Sequence, residues 1–130
     1  MSTMTLHWDQ VAINHMLRAQ NGDVGRFLST RAQRVQEGVV GRIHNRTGRL
    51  ASSVVKRWTV VGSDLGIMIL SDCPYAMFVE EDTDPHDIFP VNAKALRWES
   101  GGGVHFATRV HHPGTKGQHM FRDSLPLALE

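Results

Sequence analysis

Cysteine occurs once in these 130 residues, at Cys73. A single cysteine excludes an internal disulfide and a cysteine-based zinc cluster, and fits a chain folded in a reducing cytoplasm. No apolar run approaches the roughly 18 residues a membrane span requires. Met1–Trp8 has neither a basic leader nor an apolar core, so no secretory signal and no membrane partner are expected. Internal repeats and low-complexity segments are missing. So are the glycine–lysine spacing of a phosphate loop and the His-x-x-x-His spacing of a helical zinc site. A large charge of one sign is also absent, since the formal net charge is +1.

What is present is ordinary in bulk, with 41% hydrophobic and 21% charged residues. That suits one globular domain over residues 1–130, with room for a real core. The charge is unevenly spread. Met1–Leu50 holds seven arginines against Asp9, Asp23 and Glu37, a balance of +4, and Asp64–Ser100 has a balance of −6. Such asymmetry serves nucleic-acid contact at the basic end or complementarity between neighbouring subunits. It equally describes two solvated faces.

Apolar residues at Trp8, Val11, Ala12, Met16 and Ala19 predict a short amphipathic helix, broken at Asn21-Gly22-Asp23. Asp23 is a plausible N-cap for a second helix reaching about Asn45. There Val24, Leu28, Ala32, Val35, Val39 and Ile43 form one stripe able to lie on a sheet, with Arg31, Arg34 and Arg42 along its flank. Gly38 and Gly41 each cost about 1 kcal/mol in a helix interior, which another backbone passing close would explain. Beyond Thr47–Leu50 the period changes. Ser53–Val61 and Leu65–Leu70 read as strands joined by Gly62-Ser63-Asp64, followed by a short helix over Tyr75–Glu81. A loop with Pro85 and Pro90 follows. Lys94–Trp98 and Val104–Val110 then make a hairpin around Gly101–Gly103, and a closing helix spans Met120–Leu129, with Pro126 in its first turn or breaking it. The predicted class is α+β: N-terminal helices packed on a small, mostly antiparallel sheet, with a short C-terminal helix.

Eight histidines invite a metal reading, with His105, His111, His112 and His119 late in the chain and Asp123 nearby. Adjacent His111 and His112 would point to opposite faces of a strand, so no compact ligand set emerges. Cys73 lacks a local nucleophile signature and reads as a small core residue. The acidic run Glu80, Glu81, Asp82, Asp84 and Asp87 lacks the alternation and central glycine of a calcium loop. It reads as a charged loop, a subunit contact or a channel lining. Arg31, Arg34, Arg42, Arg46, Arg49, Lys56 and Arg57 could contact phosphates. No nucleic-acid module or interleaved aromatic accompanies them.

One ordered set of segments stands apart. Thr47-Gly48-Arg49-Leu50 precedes the first strand, and Tyr75-Ala76, Val79-Glu80 and Thr83 precede Pro85-His86-Asp87-Ile88. The hairpin follows, then His112-Pro113-Gly114-Thr115, then Phe121, Leu125 and Ala128-Leu129. In this order the chain resembles the head–tail connector family of long-tailed bacteriophages, the neck and tail-completion subunits. Two departures are Asp82, where the family usually has Gly, and His119-Met120, where a Pro usually precedes the closing Phe. The resemblance implies a structural subunit with no catalytic residues, no cofactor and no metal. It implies hexameric or dodecameric rings of copies, contacting head-closure or adaptor and tail-tube or tail-terminator proteins, with double-stranded DNA passing through the lumen without sequence specificity. It places the chain in the virion neck, assembled in the host cytoplasm. The implied interface residues are Tyr75, Glu80, Thr83, Asp84, His86, Ile88, His112, Pro113, Gly114, Thr115 and Phe121. The implied lumen or interface charges are Arg31, Arg34, Arg42, Glu81, Asp82 and Asp87. The alternatives are a small DNA-binding protein using the arginine-rich helix, and a histidine-rich metal-dependent hydrolase.

Overall fold

In the computed structural model, which describes residues 2–44 and 47–130, Asp9 caps α1 (Gln10–Arg18) by accepting the Ala12 N–H at 3.0 Å. Helix α2 runs Asp23–Arg42 with Gly22, rather than Asp23, at its N-cap. The helix ends at Arg42 on an extended C-cap, Ile43, short of the expected end near Asn45; Asn45 and Arg46 themselves lie outside the described residues. A five-residue helix that the sequence did not announce, α3 (Arg49–Ser53), leads into β1 (Val54–Val61), which pairs antiparallel with β2 (Asp64–Ser71) from Val54↔Ser71 to Val61↔Asp64. Helix α4 (Ala76–Glu80) precedes β3 (His86–Ile88), β4 (Leu96–Ser100), β5 (Gly103–Ala107) and β6 (Val110–His112). The chain closes on a 3₁₀ helix, Leu125–Leu129. The α+β class is observed.

The expected single sheet is instead three two-stranded antiparallel ribbons, β1–β2, β3–β6 and β4–β5. The predicted strand Val104–Val110 is interrupted at Thr108-Arg109, and a bend there frees β6 to pair with β3 instead of extending along β4. Gly101 and Gly102 have φ of +59° and +79°, so the β4–β5 connection is a two-residue turn with both residues left-handed, as the glycines imply. Met120–Leu129 is not one helix. Turn bonds from Asp123 N–H to His119 O (2.9 Å) and Leu125 N–H to Phe121 O (3.1 Å) precede the 3₁₀ helix, and Pro126 sits in its first turn because it has no N–H to donate.

The chain divides into two compact units, Met1–Ala76 with His119–Glu130, and Met77–Gln118. In the first, the α2 stripe is buried as its spacing requires: Ala32, Val35, Val39 and Ile43 join Leu50, Val54, Cys73 and Met120. Each large apolar side chain so buried contributes about 1.5–3 kcal/mol. The α1 stripe is different, since Trp8 and Val11 are exposed and Ile13 is the half-buried residue of that helix. The expected backbone approach at Gly38 and Gly41 is not found. A Cβ at Gly38 would overlap the Leu127 side chain, Gly41 faces open space, and the close backbone contact is at Gly25, against Gln20 O.

Arg31, Arg34 and Arg42 hold the C-terminal segment against α2. Arg31 Nη1 donates to Ala128 O at 2.8 Å and to Glu130 O at 2.7 Å, Arg34 donates to Glu130 O, and Arg42 Nη1 meets Ser124 Oγ at 3.1 Å. Ser124 is itself fully buried and donates to Met120 O at 2.6 Å.

Candidate functional site

Unit Met77–Gln118 contains the segments Thr83 to Ile88 and His112 to Thr115, and backbone pairing joins them. The register His86↔His112, Asp87↔His111 and Ile88↔Val110 makes a short ribbon. Thr83 and Thr115 extend it by an isolated antiparallel bridge, with Thr83 N–H to Thr115 O at 2.8 Å and Thr115 N–H to Thr83 O at 3.3 Å. The Thr83 hydroxyl also accepts the Thr115 N–H at 2.7 Å, and Gln118 N–H reaches Val79 O at 2.7 Å. This is why the second segment needs Pro113-Gly114-Thr115. Gly114 has φ of +84°, a conformation costly for any residue with a Cβ, and a Cβ there would overlap Thr83 O.

Asp82 has a structural role. Its Oδ1 accepts the Gly117 N–H at 2.7 Å, so the carboxylate closes the turn to which a glycine could offer no side chain. Asp87 is gripped by Arg109 Nη2 at 2.7 Å, from the residue just before β6, and by His111 Nδ1 of β6 at 2.9 Å. The two faces of the ribbon separate the adjacent histidines as strand geometry demands. His111 faces Asp87, and His112 stacks on His86 with ring centroids 5.1 Å apart.

Of the expected interface residues, Glu80, Thr83, Asp84, His86, Ile88, His112, Pro113, Gly114 and Thr115 all lie in this unit, with Glu81, Asp82 and Asp87. Tyr75, Phe121 and the three arginines lie in the other. Tyr75 is 38% exposed, and its phenol is pushed above its ordinary value, first by a hydrogen bond with the Cys73 side chain, then by partial burial. The Arg49 guanidinium lies 5.9 Å from its ring. Sequence reasoning did not single out Arg109 or the roles of Asp82 and Ser124. Their partners lie 22, 35 and 82 positions away, at Asp87, Gly117 and Arg42, and only strand register or helix packing discloses them.

The apolar balance of this unit is unusual. None of the buried hydrophobic residues of the described chain falls within Met77–Gln118. Instead Met77, Phe78, Phe89, Val91, Trp98, Val104 and Phe106 are exposed there, Phe106 at 67% and Val91 at 91%. On the β4–β5 ribbon, Val104 and Phe106 share one face with Glu99 and Arg97, and Trp98 stacks on His105 on the other. Charge divides along the same boundary. Met77–Gln118 carries Glu80, Glu81, Asp82, Asp84, Asp87 and Glu99 against Lys94, Arg97, Arg109 and Lys116, a net −2, which leaves +3 on the remainder. Among the described residues no group of three or more His, Cys, Asp or Glu side chains is placed to hold a metal ion, and no helix is long and apolar enough to cross a membrane.

No family model, curated protein or solved structure matches this chain.

Proposed function

We propose that the chain is a structural subunit of a bacteriophage head-to-tail connector ring, joining the capsid portal or adaptor to the tail tube and enclosing part of the DNA channel. The observation that carries this reading is the coreless unit Met77–Gln118, whose large apolar side chains are exposed on two-stranded ribbons. An isolated two-stranded ribbon is marginal in water, and a unit this small needs apolar burial from elsewhere. Tiling beside copies or ring neighbours supplies that burial. Opposite net charges on the two units favour a heterologous contact, in which one face of each subunit meets a different face of the next, the geometry that closes a ring. The resemblance of the two paired segments to connector proteins names the assembly. The work is mechanical, with no catalytic residue and no cofactor.

The DNA-binding alternative draws on Arg31, Arg34 and Arg42, and all three are engaged with the C-terminal segment of their own chain. It gains no support from these contacts.

Native mass spectrometry of the purified protein, alone and mixed with portal, adaptor and tail-tube proteins of the same phage, tests the proposal. The expected result is a closed oligomer of defined copy number in at least one mixture, lost in Phe106→Asp. A chain that stays monomeric in every mixture, or normal tailed particles assembled without it, refutes the proposal.

A further inference from the structure

The stacked histidines use their ring nitrogens in opposite ways. His112 ends β6, and its Nδ1 lies 3.1 Å from the Gly114 N–H, two residues along. A backbone N–H can only donate, so this Nδ1 accepts and carries no proton. The arrangement is that of an Asx-turn, with an imidazole nitrogen in place of an asparagine oxygen, and Pro113 at its centre restricts the backbone. His86, the register partner across the ribbon, has its Nδ1 2.9 Å from Asp84 O, and there the imidazole must donate. The rings stack with an interplanar angle of 29°. Beyond Gly114 the chain enters the Thr83–Thr115 bridge directly, so the His112 turn aims the second segment onto the first.

We infer that His86 and His112 form an acid-opened clip, closed while His112 is neutral and released when it takes a proton, so that the Thr83–Thr115 bridge loosens on acidification. Two effects act in the same direction. A proton on Nδ1 removes the acceptor of the Gly114 N–H and sets two N–H groups against each other. A cationic His112 also lies against the His86 ring, and protonation of both places like charges 5.1 Å apart. The closed turn and a proton on His112 Nδ1 exclude each other, so lowering pH favours opening. Histidine is the side chain whose charge ordinarily changes in this range.

Other charged groups lie around the ribbon. From β3, Asp87 faces the opposite side, where it takes Arg109 and His111. Protonation of His111 strengthens its bond to Asp87 and opposes opening. That histidine is 66% exposed and shares Asp87 with Arg109, so the opposing effect is small. Asp84 and Lys116 are exposed on the flanking loops, and the Asp82 carboxylate is committed to Gly117 N–H.

The inference does not depend on ring assembly and is tested on the full chain by amide hydrogen exchange at Thr83, Gly114 and Thr115, corrected for intrinsic rates. Protection in the wild type should fall about fivefold or more between about pH 7.5 and about pH 5.5, the loss expected for one hydrogen bond together with the charge it exposes. His112→Asn keeps an acceptor but cannot take up a proton, so its protection should be nearly the same at both pH values. His111→Asn, which lacks the opposing contact, should show a fall at least as large as the wild type. A flat wild-type profile, or an equal fall in His112→Asn, overturns the clip. Should His112→Asn lose the ribbon at both pH values, the wild type decides alone. The His112 ring Cε1 resonance and the Gly114 amide must then titrate with one midpoint, and separate midpoints overturn the inference.

Discussion

Replacing Gly114 by alanine isolates what holds the two paired segments together. The residue has φ of +84°, and placing a non-glycine residue in a left-handed conformation costs about 1–2 kcal/mol. The added Cβ would also overlap Thr83 O, the acceptor of the Thr115 N–H. Relief requires the strands to part there, which loses the two backbone bonds of the bridge at about 1 kcal/mol each. The combined effect is about 3–4 kcal/mol, a reduction in Thr83 and Thr115 amide protection of about 10²-fold or more at a tenfold change per 1.4 kcal/mol. Hydrogen exchange followed by NMR reads this residue by residue. Gly117→Ala is the matched comparison. Its Cβ would overlap Glu80 O, but its φ is not left-handed, so it should carry the crowding without the conformational cost and lose less protection. Protection at Thr83 and Thr115 within twofold of wild type in Gly114→Ala would refute both the pairing and the reason given for this glycine.

Met120 is fully buried, and Met120→Ala should lower stability by about 2–5 kcal/mol in denaturant titration, with an unchanged midpoint counting against its place in the core. Ser124→Ala removes the acceptor of Arg42 and the donor to Met120 O, for an expected loss of about 1–3 kcal/mol in the same assay. Tyr75 is the only tyrosine, so tyrosinate absorbance reports it alone. Cys73 holds the phenol above its ordinary value, and Cys73→Ala should bring the titration down toward it, whereas no movement would deny the contact. The sign follows from this direction: the Tyr75–Cys73 contact supports the fold below the unfolded phenol's ordinary value near 10 and is lost as pH rises through the higher folded value.

Much of the local structure was legible in the chain. The four-and-three spacing from Val24 to Ile43 marked the inward face of α2, buried at Ala32, Val35 and Val39 and half-buried at Val24 and Leu28, because helical period alone decides which side chains share a side. The glycines at 101 and 102 specified a tight turn, and the adjacency of His111 and His112 put them on opposite faces. The α1 stripe misled, since Trp8 and Val11 obey a helical period yet stay exposed. Gly38 was legible as a close approach, but the group approaching it is the Leu127 side chain, which lies far along the sequence.

By itself, then, the sequence determined periodicity, turn chemistry and the uneven distribution of charge, because each is a property of neighbouring residues. Tertiary structure alone decided which distant segments pair: Thr83 with Thr115, His86 with His112, and Arg31, Arg34 and Arg42 with the C-terminal segment. It also decided that Met77–Gln118 keeps no apolar side chain buried. The reason is that pairing and burial are set by competition among all surfaces of the folded chain, and no local pattern records which surface wins.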